Sequence, residues 1–258
     1  MLKPIALAIL MAAQPAFADT WSYDFSGNLL DHFDADPGST TSLSSVSQVN
    51  GQLQFHTLDT SGAATSETFF FKNAMPSYSQ SWTAMLDVFV PQALNTQIPQ
   101  GTENWAAVSL VALTTDGSGN WKQGVSIDLE AQGPDGSQYW SGAYNFIQGI
   151  EDTVYDQNTT DVQGTIQLSF DASTKIITAS HQSGVLGSWD TNGWGLTGSD
   201  SFSIAVGFDT NDMVVPADTP LSLDNFSLSV QAVPEPETYV LMLAGLGLVG
   251  LAGRRRGS

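Results

Sequence analysis

Three polar residues alternate with apolar ones in the stretch SIDLE at residues 126–130. Successive side chains of a β-strand point to opposite faces, so Ser126, Asp128 and Glu130 would share one face. Neighbouring carboxylates in a groove exchange protons with a substrate or accept hydrogen bonds from hydroxyl groups. No histidine or lysine in this stretch would activate the serine. The stretch therefore predicts a polar binding surface, with the solvated face of an ordinary sheet as the alternative.

Two other segments combine aromatic rings with polar side chains, YWSGAYN at 139–145 and WDTNGW at 189–194. Tryptophan and tyrosine have flat faces that stack on sugar rings, while carboxylates and amides bind the hydroxyl groups. A glycan-binding surface is one interpretation, and rings that close the ends of a hydrophobic core are the other. The glycan-binding candidates are Asp128, Glu130, Tyr139, Trp140, Tyr144, Trp189 and Trp194.

Acidic loops raise the alternative of a bound cation. Calcium takes six to eight oxygen ligands, and oxygen-bearing side chains lie close in sequence at Asp116 with Asn120 and at Asp209 with Asp212. Neither loop has the glutamate that completes an EF-hand, so ordinary turns are the alternative. The sequence has no cysteine and only three scattered histidines, which argues against a zinc site. A structural calcium ion is the one cofactor that the sequence suggests.

Apolar residues recur at every second position along much of the chain, which is the period of β-strands. This alternation is clearest at 82–90, 125–129, 166–170, 202–208 and 221–230. Turn signals such as Asn50-Gly51 and the stretch DAST at 171–174 separate the strands. At Asp224-Asn225 the alternation slips by one residue, as a β-bulge requires. The sequence predicts an all-β domain at residues 19–231, an antiparallel two-sheet β-sandwich of the jelly-roll type.

The N-terminal segment has the three parts of a secretory signal peptide. Lys3 precedes an apolar run, and Ala16-Phe17-Ala18 forms an A-x-A cleavage site before Asp19. We therefore predict a signal peptide at residues 1–18, export through the Sec translocon and removal of the peptide by signal peptidase.

The C-terminal segment begins with Pro234-Glu235-Pro236, continues with an uncharged stretch at 239–253 and ends with Arg254, Arg255 and Arg256. As a transmembrane helix the stretch would span roughly 22 Å at about 1.5 Å per residue, against about 30 Å of hydrocarbon. The arginines would stay on the cytoplasmic side. This order, over residues 232–258, resembles the PEP-CTERM sorting signal of Gram-negative bacteria. The resemblance implies cleavage by exosortase near the Pro-Glu-Pro triplet after a transient stay in the inner membrane.

A second resemblance involves residues 23–27 (YDFSG), residues 49–55 (VNGQLQF) and the Asp128-Leu129-Glu130 strand. They are similar to the concanavalin A-like lectin/glucanase superfamily, whose sandwiches bind or cleave polysaccharides in a groove across one sheet. Retaining glucanases of that superfamily carry E-x-D-x-E on one strand, and Ser126 stands here at the nucleophile position. The resemblance therefore implies no complete catalytic motif. A structural calcium ion between Asp24 and Asp224 would resemble the arrangement in jelly-roll carbohydrate modules.

The charge distribution narrows the choice of partners. Residues 19–234 contain 24 acidic residues against three lysines, a formal charge of −21. Such a surface repels phosphate backbones, so nucleic acid is excluded as an expected partner. Neutral ligands, cationic ligands and divalent ions remain as expected partners.

Together these observations predict an exported protein that reaches the cell surface or the extracellular matrix. Its sandwich is expected to be non-catalytic, with exopolysaccharide as the candidate ligand. One alternative is a diverged glycoside hydrolase or lyase that uses Glu130 with a carboxylate from another strand. Another is a structural matrix protein whose acidic faces are cross-linked by divalent ions.

Overall fold

A computed structural model describes residues 18–58, 60–98, 104–115, 121–132, 136–145 and 150–231. The predicted signal peptide up to Phe17, the sorting signal from residue 232 with its predicted helix at 239–253, and the loop with Asp116 and Asn120 lie outside these ranges. The strands below belong to one compact unit, Thr20–Val230. Of the other unit only Ala18, Asp19 and Gln231 are described. None of the helices in the described ranges is long and apolar enough to cross a membrane.

The described residues form fifteen strands and only very short helices. The strands are β1 (Ala18–Tyr23), β2 (Phe33–Ala35), β3 (Ser44–Val49), β4 (Gln52–Thr57), β5 (Thr65–Phe71), β6 (Trp82–Phe89), β7 (Trp105–Thr115), β8 (Trp121–Ala131), β9 (Ser137–Asn145), β10 (Ile150–Thr159), β11 (Gln163–Asp171), β12 (Ile176–His181), β13 (Gly184–Asp190), β14 (Ser201–Asn211) and β15 (Leu221–Gln231). The helices are α1 (Leu29–His32), α2 (Gln92–Asn95) and a 3-10 helix at Thr191–Trp194.

These strands make two antiparallel sheets. One sheet has the order β13-β12-β11-β6-β15-β4-β3, with β1 added beside β15. The other has the order β10-β9-β8-β7-β14-β5-β2. Neighbours such as β7 and β14 are far apart in sequence, so the sheet order depends on long-range pairing. The predicted all-β, two-sheet class is confirmed.

The core lies between the sheets, where the alternating apolar residues meet. Each of the five predicted alternating segments falls in a strand and buries its apolar face. Phe55 of β4 stacks on Phe208 of β14, with ring centroids 5.2 Å apart, and so joins the two sheets. Complete burial of such a side chain stabilises the fold by about 2–3 kcal/mol.

The predicted turns and the bulge are present. Asn50 and Gly51 both have positive φ, 53° and 78°, in the tight turn between the paired strands β3 and β4. In β15 the register with β6 shifts between Asp224 and Ser227, and Asn225 has a φ of 48°. The extra residue lets Leu223 and Phe226 both face the core, which explains the slip in the sequence pattern.

Strand β8 is the element that positions the candidate site. It lies between β7 and β9, well inside the seven-stranded sheet. Its Val125, Ile127 and Leu129 are fully buried in the core. By alternation, the residues between them must face away from the core.

Candidate functional site

The face of β8 that points away from the core forms the floor of a groove. Ser126, Asp128 and Glu130 all line this groove, as the alternation in the sequence predicts. Both carboxylate residues are only 7% exposed. The groove is therefore a depression in the sheet surface, and its acidic side chains are largely withdrawn from solvent.

Strand register places a third carboxylate across the sheet from Glu130. Glu130 lies opposite Ala107 of β7, and Ala107 lies opposite Asp209 of β14. The methyl group of Ala107 leaves space above the sheet between the two acids. Asp209 lines the same groove, and so does Asp36, which follows β2. We call the three carboxylates on β8 and β14, Asp128, Glu130 and Asp209, the groove acids.

Hydroxyl and amide groups donate to these carboxylates. The Ser126 hydroxyl donates to Asp128 Oδ2 over 3.5 Å, and the Ser109 hydroxyl donates to Asp209 Oδ2 over 3.4 Å. Glu130 Oε2 accepts from the amides of Gln132 and, at 3.3 Å, Gln138. Among the described residues, nothing forms a hydrogen bond with the buried Asp128 Oδ1.

Burial raises the pKa of each of the three groove acids, and repulsion by neighbouring carboxylates adds to it at Asp128 and Glu130. Desolvation raises the pKa of Asp128 well above its ordinary value, and the charges of Glu130 and Asp209 raise it further. Desolvation also raises the pKa of Glu130 from 4.5 to about 7, against the opposing effect of its two glutamine donors. Desolvation raises the pKa of Asp209 as well. Burial in the groove therefore favours the protonated form of all three acids.

Aromatic rings form the walls of the groove. Trp140 lies opposite Asp128 on β9 and packs near Tyr144, with ring centroids 5.9 Å apart. Phe70 and Trp121 stack at 5.1 Å, and Trp121 is 39% exposed. Half-buried rings beside buried carboxylates give the groove the chemistry of a site for a polar ligand with an apolar face.

The structure separates the other aromatic candidates from the groove, which corrects the sequence interpretation. Tyr139 is fully buried on the core face of β9, where it stacks on His181 at 4.1 Å. Trp189 is 6% exposed on β13 of the other sheet and packs edge-on against Tyr155. Trp194 lies in the 3-10 helix, half-buried against the core. Of the two aromatic segments, only Trp140 and Tyr144 line the groove.

The metal candidates fall into separate places. Asp209 lies in the groove, whereas Asp212 lies in the turn after β14 with a φ of 47°. The charge of Asp24 does act on Asp224, since burial raises the pKa of Asp224 and the charges of Asp87 and Asp24 raise it further. Within the described ranges, no group of three acidic or histidine side chains is arranged to hold a metal ion. Calcium stays a prediction.

Sequence reasoning did not assign several groove residues. Trp105, Trp121 and Phe70 line the groove, and Asp209 was assigned to a metal cluster instead. For Trp105, Ala107 and Ser109 the signal was the alternation along β7, which gives them a common face. The groove position of Asp209 depends on the pairing of β14 with β7, which the local sequence pattern does not reveal.

The solved structures similar to this chain are concanavalin A-like lectins and glucanases. A lectin from Bauhinia forficata in complex with GalNAc is 14% identical, with 84% of this chain and 100% of that chain covered and a TM-score of 0.54. The metal-free lectin I-B4 from Griffonia simplicifolia is 12% identical, covering 83% and 100%, with a TM-score of 0.49. A β-glucanase from Bacillus licheniformis is 11% identical, covering 83% and 98%, with a TM-score of 0.46. No curated protein matches the sequence.

The sorting prediction is confirmed separately. Residues 232–256 match the PEP-CTERM protein-sorting motif. The motif implies export, a transient membrane anchor and processing by exosortase. The chain thus combines a PEP-CTERM sorting motif with a sandwich whose fold is similar to that of lectins and glucanases.

Proposed function

We propose that this protein is a non-catalytic glycan-binding protein, delivered by its sorting motif to the cell surface or the exopolysaccharide matrix, and that the groove over β8 binds the glycan. The observation that carries the proposal is the pairing of Trp140 with Asp128 on adjacent strands. Directly paired residues have Cβ atoms about 5 Å apart, so one sugar ring can stack on the indole while its hydroxyl groups reach the carboxylate.

The absence of a nucleophile on β8 supports a binding role. Ser126 occupies the position where the E-x-D-x-E pattern has a carboxylate, and its hydroxyl donates to Asp128. A serine in this setting does not stabilise an oxocarbenium-like centre. The three groove acids would then act as hydrogen-bond partners of the ligand.

Retention of the protein on the exopolysaccharide of the producing organism tests this proposal. We expect saturable binding that the soluble glycan competes away, and a loss of affinity of about tenfold in Trp140→Ala. Trp194→Ala is the matched control, because it removes an indole that does not line the groove. Unsaturable retention, or equal affinity of the two variants, would contradict the proposal.

A hydrolase is the second candidate, and one observation favours it. Glu130 has a pKa of about 7, as suits a general acid, and Asp209 supplies a second carboxylate from another strand. In that case Glu130 would protonate the leaving oxygen while Asp209 removes a proton from an attacking water molecule. Release of reducing ends that Glu130→Gln abolishes, with glycan binding retained, would establish this activity.

A further inference from the structure

The groove holds acidic side chains with no basic side chain beside them. Asp128 and Glu130 are 7% exposed, and Asp209 is half-buried beside them. None of the described residues that line the groove is lysine, arginine or histidine. Buried carboxylates without a cationic partner destabilise a folded protein. A ligand that brings a positive charge into the groove would therefore stabilise the fold.

The rest of the sandwich domain, residues 19–231, has no unpaired lysine or arginine to supply a positive charge. Between residues 19 and 231 the only lysines are Lys72, Lys122 and Lys175, and there is no arginine. Lys72 pairs with Asp34, Lys122 pairs with Asp200, and the Lys175 ammonium donates to the Tyr78 carbonyl oxygen. The segments of this region that the structure does not describe contain no lysine, arginine or histidine in their sequence. A balancing charge must therefore come from outside the domain.

One atom marks where that charge would bind. Asp128 Oδ1 is buried and has no hydrogen-bond partner in the described part of the chain, although Oδ2 accepts from Ser126. Buried carboxylate oxygens are normally satisfied, and an unpaired one lowers stability by about 1–3 kcal/mol or more. Asp128 lines the groove, so a rotation of its carboxylate would bring this oxygen to a donor on a bound ligand.

We infer that the groove selects glycans that carry free amino groups, with a ligand ammonium donating to Asp128 Oδ1 between Trp140 and Ser109. This inference rests on the proposed glycan-binding function and names the class of glycan. Trp140 and Ser109 are the cross-strand neighbours of Asp128 on its two sides. An ammonium here would also lie near the indole, whose face attracts cations.

An ammonium fits the groove better than a metal ion does. No group of three side chains in the described ranges is arranged around one metal position. The three acids lie at different points along the groove, because Glu130 is two residues from Asp128 and Asp209 is two strands from Glu130. An ammonium group has three donors and needs no closed shell of ligands. A chain of amino sugars would present one such group per residue to acids spaced in this way.

Binding of an ammonium group is expected to change the protonation of the groove acids, in addition to favouring amino sugars over neutral sugars. Without ligand, burial and repulsion favour protons on the groove acids. A bound ammonium stabilises the ionised form of the carboxylates, so binding near neutral pH is expected to release protons to the buffer. A neutral glycan would not produce this release.

Calorimetric titration of the full chain in mild detergent tests the inference with three hexasaccharides of one β-1,4 linkage. The probes are hexaglucosamine, its fully N-acetylated counterpart and cellohexaose, with hexalysine as a control for attraction to the net charge. Near the pKa of Glu130, about 7, we expect hexaglucosamine to bind at least about tenfold more tightly than the other sugars and to release protons. Asp128→Asn should remove most of that preference. Asp171→Asn is the matched control, because it removes one charge from an exposed turn. The Ser173 N–H, which donates to Asp171 Oδ1, can donate to the side-chain oxygen of the asparagine instead.

The outcomes separate the inference from the proposed function. Equal affinity for the three sugars would overturn the amine preference and leave glycan binding in place. Binding of none of them, together with no retention on the producer's exopolysaccharide, would overturn both. Hexalysine binding as tightly as hexaglucosamine, with Trp140→Ala unchanged toward both, would show attraction by net charge and overturn the inference.

Discussion

The molecule has two acidic regions that look alike in sequence and differ in their surroundings. The groove holds Asp128, Glu130 and Asp209, whereas Asp24, Asp87 and Asp224 gather at the bulge of β15 on the other sheet. At the bulge, Asp87 accepts from Thr165 at 2.6 Å and from the Asn225 amide at 2.9 Å. Asp24 accepts from both the backbone and the hydroxyl group of Ser26, which lowers its pKa.

The difference shows that donors and solvent, not the number of acids, decide what an acidic cluster does. At the bulge, Asp24 is exposed and its Ser26 donors lower its pKa, whereas partial burial and the charges of Asp87 and Asp24 raise the pKa of Asp224. In the groove, burial outweighs the few donors and raises the pKa of all three acids. The groove thus differs from the bulge in that all three of its acids have a raised pKa.

The largest expected effect comes from removing a groove charge. Folding raises the pKa of Glu130 from 4.5 to about 7, so between these values the folded protein holds a proton that the unfolded chain has released. The free energy of unfolding should therefore fall as the pH rises through this window, by about 3 kcal/mol at most. Glu130→Gln should remove this loss and melt at a higher temperature than the wild type at about pH 8, but not at about pH 4.

An acid at the bulge provides the control for this pH profile. The pKa of Asp24 is lowered, so its contribution to stability is present above the unfolded pKa and is lost only as the pH falls below it. Asp24→Asn should leave the slope between about pH 5 and 8 unchanged. A Glu130→Gln variant with the wild-type slope would mean that the groove acids are already ionised and relaxed.

A smaller effect is expected from removing only the repulsion between strands. Asp209 raises the pKa of both Asp128 and Glu130 through its charge. Asp209→Asn should therefore move the titration of Glu130 to lower pH, as measured by carbon NMR of the carboxyl group. Asp224→Asn should not move it. Equal titration in both variants would show that burial alone sets the pKa of Glu130.

The local pattern predicted the fold well, because alternation and turn chemistry are properties of neighbouring residues. The slip at Asp224-Asn225 predicted the bulge, and the stretch at 126–130 predicted one polar face. Alternation along a strand also places Tyr139 and Trp140 on opposite faces of the sheet, since adjacent strand residues face opposite ways. Their shared aromatic composition placed both among the glycan-binding candidates, and Tyr139 proved to be buried in the core.

The groove as a whole could not be predicted, because it is assembled by pairing between distant strands. Asp209 faces the same groove as Glu130 only because β14 pairs with β7. The small side chain of Ala107 leaves space between these two acids. The raised pKa values follow from burial by these neighbours. No feature of the short range from 126 to 130 indicates that burial.

The smallest expected effect concerns calcium at the bulge. An ion held with a dissociation constant a hundredfold below its concentration adds about 2.7 kcal/mol, which would raise the melting temperature by roughly 5–10 °C for a domain of this size. We expect a change of less than about 2 °C between calcium and chelator, because Asp24 and Asp87 already have donors and the bulge lacks a three-ligand group within the described residues. A larger rise that Asp224→Asn abolishes would contradict this expectation. The bulge would then also be a cation-binding site, and the two acidic regions would differ in the kind of cation that they bind.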